Sequence, residues 1–200
     1  MSMIMGLVTL SDSNIQRIID DPPLVWQVVA PNDPEPYEQA RISKADSAGL
    51  VARLFRRPPE RPPDLQMGDY EGADVDLDKA WHGIHYLLTG TAWAGSPPLN
   101  FLLDGGRTAG EIEVGYGPVR LHFSSETKQI QQALSALTDD ELRSRFQPNE
   151  MMKLEIYPEI WDRSPVDDDT LGYLMEYVNV LRQHLETAVE RGLGLAIYLT

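Results

Sequence analysis

The chain has 200 residues, no cysteine and a formal net charge of −14, with 31 acidic side chains against 17 basic ones. That length suffices for one domain with a core of its own. The missing cysteines exclude disulfides, zinc thiolate sites and cysteine nucleophiles, and the acidic balance argues against nucleic acid and anionic membranes as partners.

The N-terminal residues contain no basic region followed by an apolar run, and Asp12 interrupts any candidate, so no secretory signal is read. No apolar stretch approaches the ~20 residues needed to span a bilayer. The expected location is the cytoplasm.

Met3 to Leu10 is short and apolar and reads as a buried strand. Ser11 or Ser13 then caps a short helix through Ile19, and Asp20-Asp21-Pro22-Pro23 stops it, since proline removes a backbone donor. Leu24 to Val29 is an apolar run whose periodicity fits a strand or a helical turn equally. From Pro31 to about Asp74 the expectation is irregular chain. Within it, residues 53–63 combine arginines with paired prolines. Such a segment suits either docking to an acidic or aromatic-lined partner or service as a stiff surface loop.

Leu77 to Gly90 is the stretch around which the rest is arranged. It reads as one helix, acidic at its start and closed by glycine. At 3.6 residues per turn, Leu77, Trp81, Ile84 and Leu88 share an apolar face. Asp78, His82, His85 and Thr89 form a second stripe, which invites two readings. In one the stripe lines a cleft and the imidazoles share a metal or a proton-transfer task. In the other His85 is half-buried and hydrogen-bonded to backbone, and His82 is a surface residue. Asp78 lies roughly 10 Å from His85 along the axis, at ~1.5 Å per residue. A third ligand would therefore come from another segment, with His122 the candidate. No HExxH run or Cys/His cluster supplies one, so no metal and no cofactor are assigned.

Beyond it, Leu99 to Leu103 is expected to be a short helix closed by Gly105-Gly106. The later glycines make neither GxGxxG nor a P-loop. Gly115-Tyr116-Gly117-Pro118 reads as a turn feeding a strand from Val119 to Phe123, with His122 on its exposed face. Ser124 or Ser125 caps a helix to about Leu137. Thr138 with Glu141 forms a capping box for the next helix, and Pro148 opens another. Glu155-Ile156-Tyr157-Pro158-Glu159-Ile160-Trp161 sets two acids beside two aromatics, readable as an aromatic lip over the central helix or as core. Three aspartates, Asp167 to Asp169, suit the N-terminus of a long helix running to Arg191. The central glycine of a calcium loop is missing from them. Gly192 caps that helix and Leu193 to Leu199 reads as a buried strand.

Several of these residues carry a resemblance. Lys79-x-Trp81, Ile84-His85-Tyr86, Leu88-Thr89-Gly90, the Gly115–Pro118 turn, the run from Ala133 to Thr138 with Glu141-Leu142-Arg143 and Phe146, and Glu155-Ile156-Tyr157-Pro158 together resemble the YfbM-like bacterial proteins, a domain-of-unknown-function family. The likeness spans nearly the whole chain, is patchy between about Asp20 and Asp74, and does not extend to the Arg56–Pro63 stretch. It implies a single α+β domain and brings no set of catalytic residues.

The resulting expectation is one α+β domain, with a small mixed sheet packed against the central helix and the long C-terminal helix. Two classes of function are open. One is a non-catalytic binding protein, for example one that neutralises a protein partner, acting as a monomer or homodimer. The other is a hydrolase or metal-dependent enzyme whose cleft holds Trp81, His82, His85, Thr89, Tyr116 and Trp161. The second class has no Gly-x-Ser-x-Gly elbow to support it.

Overall fold

The computed structural model describes residues 2–47 and 63–200. The Pro/Arg-rich stretch at 53–62 lies outside the described residues.

Five strands form one sheet: β1 (Met5–Leu10), β2 (Asp74–Asp76), β3 (Arg107–Glu113), β4 (Pro118–His122) and β5 (Gly194–Leu199). Their order is β2-β1-β5-β4-β3. Every pairing is antiparallel, so the sheet is not mixed. A parallel neighbour needs a crossover that returns the chain in the same direction. Here β3 and β4 make a hairpin, and the central pair joins the two ends of the chain, with Met5 opposite Leu199 and Leu10 opposite Gly194. The two strands missing from the sequence reading explain themselves. β2 is only three residues long, an edge strand with exposed aspartates at both ends, while β3 is interrupted by a register shift between Thr108 and Glu113.

Side chains alternate across the sheet with period two, and both faces are covered. Val8 and Leu10 of β1, Ala196 of β5 and Val119 and Leu121 of β4 face a smaller core. It is roofed by α1 (Asp12–Asp20), a 3-10 turn (Pro22–Val25), α2 (Trp26–Val29) and α3 (Glu35–Ser47), the last contributing Tyr37. The ambiguous run after Pro23 is therefore helical. The first part of the segment expected to be irregular contains α3, whose weak apolar periodicity hid it. Leu7, Leu195 and Ile197 face the larger core on the other side. There lie α4 (Trp81–Thr89), α5 (Ser124–Ser135), α6 (Asp139–Ser144), α7 (Pro148–Lys153) and α8 (Thr170–Glu190). Residues 99–103, expected to be helical, form successive turns.

Helix ends follow their local chemistry. Thr138 Oγ1 accepts from Glu141 N–H and the Glu141 carboxylate accepts from Thr138 N–H, completing the capping box of α6. Asp169 accepts from Gly172 N–H at the start of α8, and Gly192 takes a left-handed φ of 65° just beyond its end. Among the described residues no helix is long and apolar enough to cross a membrane.

Candidate functional site: two histidines and an exposed tryptophan

α4 is buried on all sides, from Trp81 through Leu88. A helix without an exposed face belongs at the centre of a fold, and four neighbours enclose this one. Trp81 donates its indole N–H to Met3 O at 3.2 Å, tying α4 to the start of β1. Gly83 lets α8 and Trp161 approach so closely that a Cβ there would lie 2.6 Å from Leu174 Cδ2 and 2.8 Å from Trp161 Cη2. At its C-terminus, Arg145 donates to the carbonyls of Leu87 and Leu88, which have no helical partner. The helix begins later than expected. Residues Asp78–Ala80 form a 3-10 turn, with Asp78 in the left-handed region at φ 45° and its carboxylate accepting from Tyr173 O–H.

The histidine stripe does not open on a cleft. His82 and His85 are both 0% exposed, where His82 was expected at the surface. The chain leaving α4 turns back at Gly90, which has φ 72°, and residues 91–95 fold over the stripe. His82 Nε2 lies 2.8 Å from Ala92 O, and His85 Nε2 lies 3.0 Å from Ala94 O. A carbonyl can only accept, so each Nε2 carries the proton. On its other side His82 Nδ1 accepts the Tyr157 backbone N–H at 3.0 Å. Both nitrogens of His82 are thus committed, and the ring is neutral with no lone pair left for a metal or a substrate proton. His85 Nδ1 has no hydrogen-bond partner among the described residues.

Burial dominates the electrostatics. It lowers the pKa of His82, against the opposing effect of the bond to Ala92. It pushes His85 down to about 4, a shift that the Ala94 bond opposes and that the neighbouring His82 ring and the charge of Arg120 reinforce. Arg120 itself is largely withdrawn from water and donates to the carbonyls of Phe101, Leu102 and Asp104, pinning the 101–104 turn. His122, expected on the exposed face of β4, is 4% exposed. Its Nε2 is instead crowded against Gly106, where a Cβ would come within 2.9 Å. Among the described residues no group of three or more His, Asp or Glu side chains is arranged to hold a metal ion.

Capturing Ala92 and Ala94 leaves Trp93 between them, and it points outward with 65% of its surface exposed. Its ring rests on His82 at 4.3 Å between centroids, and His82 is in turn stacked on Trp81 at 4.8 Å. Tyr157 stacks on Trp81 at 5.9 Å. Further bonds hold the segment. Thr91 Oγ1 also donates to Ala94 O, and Thr89 Oγ1 donates to His85 O at 2.9 Å. Gly95 sits at φ 152°, and a Cβ on it would meet Thr89 Cγ2 at 2.7 Å. The exposed indole therefore stands on a fixed base.

Of the residues singled out in the sequence, the structure brings Trp81, His82, His85 and Thr89 together around this segment. Trp161 is not a lip. It lies in the core with its indole N–H given to Ile156 O at 2.6 Å. Tyr116 is 48% exposed in the β3–β4 turn, where its N–H donates to Leu199 O at 2.8 Å, and none of its hydrogen bonds or ring contacts is with α4. Trp93 was missed altogether. The one signal was a tryptophan set among small residues, Thr91-Ala92-Trp93-Ala94-Gly95, with no large apolar neighbour to make it core. A separate shallow groove of about 320 Å³ lies between α5, α6 and α8, lined by Gln131, Ser135, Thr138, Asp139, Arg182 and Glu186. Its arginine is spent on Asp139 and on Leu137 O.

An antiparallel sheet covered by helices on both faces, with an α+β order of elements, is the class to which this architecture belongs. The chain is a member of the DUF1877 family, a domain of unknown function, whose model matches residues 1–198. Among solved structures it is similar to YfbM from Escherichia coli, a protein of unknown function. The two share 17% sequence identity over 98% of this chain and 99% of that one, with a TM-score of 0.62. That likeness is one of fold. A search of curated proteins returns no match.

Proposed function

We propose that this protein is a non-catalytic binding protein of the cytoplasm whose partner is another protein, held through the surface around Trp93. The observation that carries this reading is the use made of the two histidines. Their Nε2–H groups are spent on the carbonyls flanking Trp93, and what the assembly presents to water is an indole. Large exposed aromatics on a fixed base are the residues from which protein contacts draw most of their energy, because little side-chain entropy is lost when they bind. The alternative, a hydrolase or metal enzyme, needs an accessible imidazole with a free lone pair; His82 offers neither, and His85, whose Nδ1 is unbonded among the described residues, is sealed from water. Neutralisation of a partner by occlusion fits a protein that contributes surface and no chemistry.

The test is retention of a partner from lysate of the native host on immobilised wild-type protein and on Trp93→Ala. The reading expects a stoichiometric protein partner on the wild type that is absent from the variant. Failure to retain any protein at stoichiometric level, or turnover of a substrate by the purified chain with loss on His85→Ala, overturns it.

A further inference from the structure

The turn that braces the base of Trp93 is acidic as well as aromatic. The turn that supplies the Tyr157 N–H to His82 carries an exposed glutamate on each side of Tyr157, Glu155 and Glu159. Both lie in the left-handed region, at φ 53° and 61°. Asparagine or glycine would hold that conformation more easily than glutamate does. Tyr157 is fixed at both ends of the residue, since its hydroxyl accepts from Met3 N–H at 3.0 Å while its N–H holds His82. The two carboxylates are thus carried on the same clamped assembly as the indole. The chain as a whole bears a net charge of −14.

We infer that the Trp93 surface docks an arginine-bearing segment of a protein partner, with a guanidinium laid on the indole face and paired with Glu155 or Glu159. The inference rests on the binding reading above and names the chemistry of the partner. Charge complementarity selects a cation. Tryptophan is the ring that binds cations best. Between the two basic side chains, arginine is the better fit to an indole and carboxylates carried on one assembly. Its planar guanidinium stacks on aromatic faces, is more weakly hydrated than an ammonium, and can engage a carboxylate with two parallel N–H bonds. Steering by the acidic surface raises the rate of encounter and makes it fall with added salt.

The probe is a short fluorescent peptide of alternating arginine and glycine, blocked at both ends, titrated with the full-length protein at low and physiological salt. A lysine–glycine peptide is measured beside it. The arginine peptide is expected to bind, more tightly than the lysine one. Trp93→Ala is expected to weaken it by about tenfold, the size of a cation–π contact. Glu155→Gln and Glu159→Gln together are expected to weaken it severalfold and to flatten the salt dependence. Trp93→Phe, which keeps a ring, is expected to fall between Trp93→Ala and the wild type. Equal binding of the two peptides, or unchanged binding by Trp93→Ala, overturns the inference. Sedimentation of the protein alone supplies another arm: a dimer dispersed by Trp93→Ala would assign the surface to a second copy and overturn it too. A lysate partner retained equally by Glu155→Gln/Glu159→Gln and lost only by Trp93→Ala would leave the binding reading standing and defeat this one.

Discussion

His82 Nε2 lies 2.8 Å from the carbonyl oxygen of Ala92, so the imidazole that looks like a ligand in the sequence is spent fixing the residue before Trp93. His85 does the same to the residue after it. The pair differ in one respect that can be measured. His82 also accepts the Tyr157 N–H, whereas His85 Nδ1 has no partner among the described residues. Replacing His82 with alanine strands a backbone donor and an acceptor and opens a void beneath Trp93. A loss of about 3–5 kcal/mol is expected on denaturant unfolding. His82→Leu is expected to cost more than His85→Leu by about 1–3 kcal/mol, because only the first leaves the Tyr157 N–H unpaired. Equal losses for the two would contradict the assignment.

Gly83 tests the packing around α4. In an exposed helix, glycine to alanine would gain about 1 kcal/mol. Here the new Cβ would meet Leu174 Cδ2 at 2.6 Å and the ring of Trp161 at 2.8 Å, and that ring is anchored through Ile156 O. Overpacking wins, and Gly83→Ala is expected to lower stability by about 1–3 kcal/mol in thermal melts.

Much of this arrangement was legible in the residues, and the parts that were not have physical causes. The Thr138–Glu141 capping box, the left-handed caps at Gly90 and Gly192 and the terminal strands are local features, set by a few neighbouring side chains, and they form as expected. The antiparallel order of the sheet depends on how distant segments meet, which periodicity does not encode. β2 and β3 are too short or too irregular to show alternation. The histidine stripe was visible, but its burial was not. What seals it is the segment 91–95, small residues on either side of Trp93, whose backbone carbonyls rather than side chains do the binding. Carbonyl positions leave no trace in residue type, so His82 read as surface and Trp93 went unnoticed.

Acid sensitivity follows from the same burial. His85, His122 and His184 are each pushed down to about 4, with burial the main cause. In the unfolded chain these rings take up protons near pH 6.5. Between pH 6.5 and about 4 the unfolded state therefore binds more protons than the folded one, and stability falls as pH falls through that window. Each of the three is expected to contribute on the order of 1–3 kcal/mol to the loss. Denaturant midpoints measured from pH 7.5 down to 4.5 should drop continuously below about pH 6.5. A midpoint that is flat to pH 5 would contradict the burial of these rings.

Trp93→Ala is expected to behave differently from all core changes. The exposed side chain gives up ring contacts with His82 and Trp81 alone among the aromatic pairs, so the loss should stay below about 1 kcal/mol. A variant that melts with the wild type yet loses its partner separates the role of the indole from folding. A loss comparable to that of His82→Ala would mean that Trp93 is part of the core.

His82 is a neutral strut beneath Trp93 with both nitrogens committed. Nitrogen-15 spectra of the imidazole rings, recorded between pH 6 and 8 with and without added zinc, test it most directly. His82 is expected to show a protonated Nε2 and an unprotonated Nδ1 throughout, with no response to zinc. A ring that titrates within that range, carries its proton on Nδ1 or shifts when zinc is added would contradict it and return His82 to the list of chemically available groups.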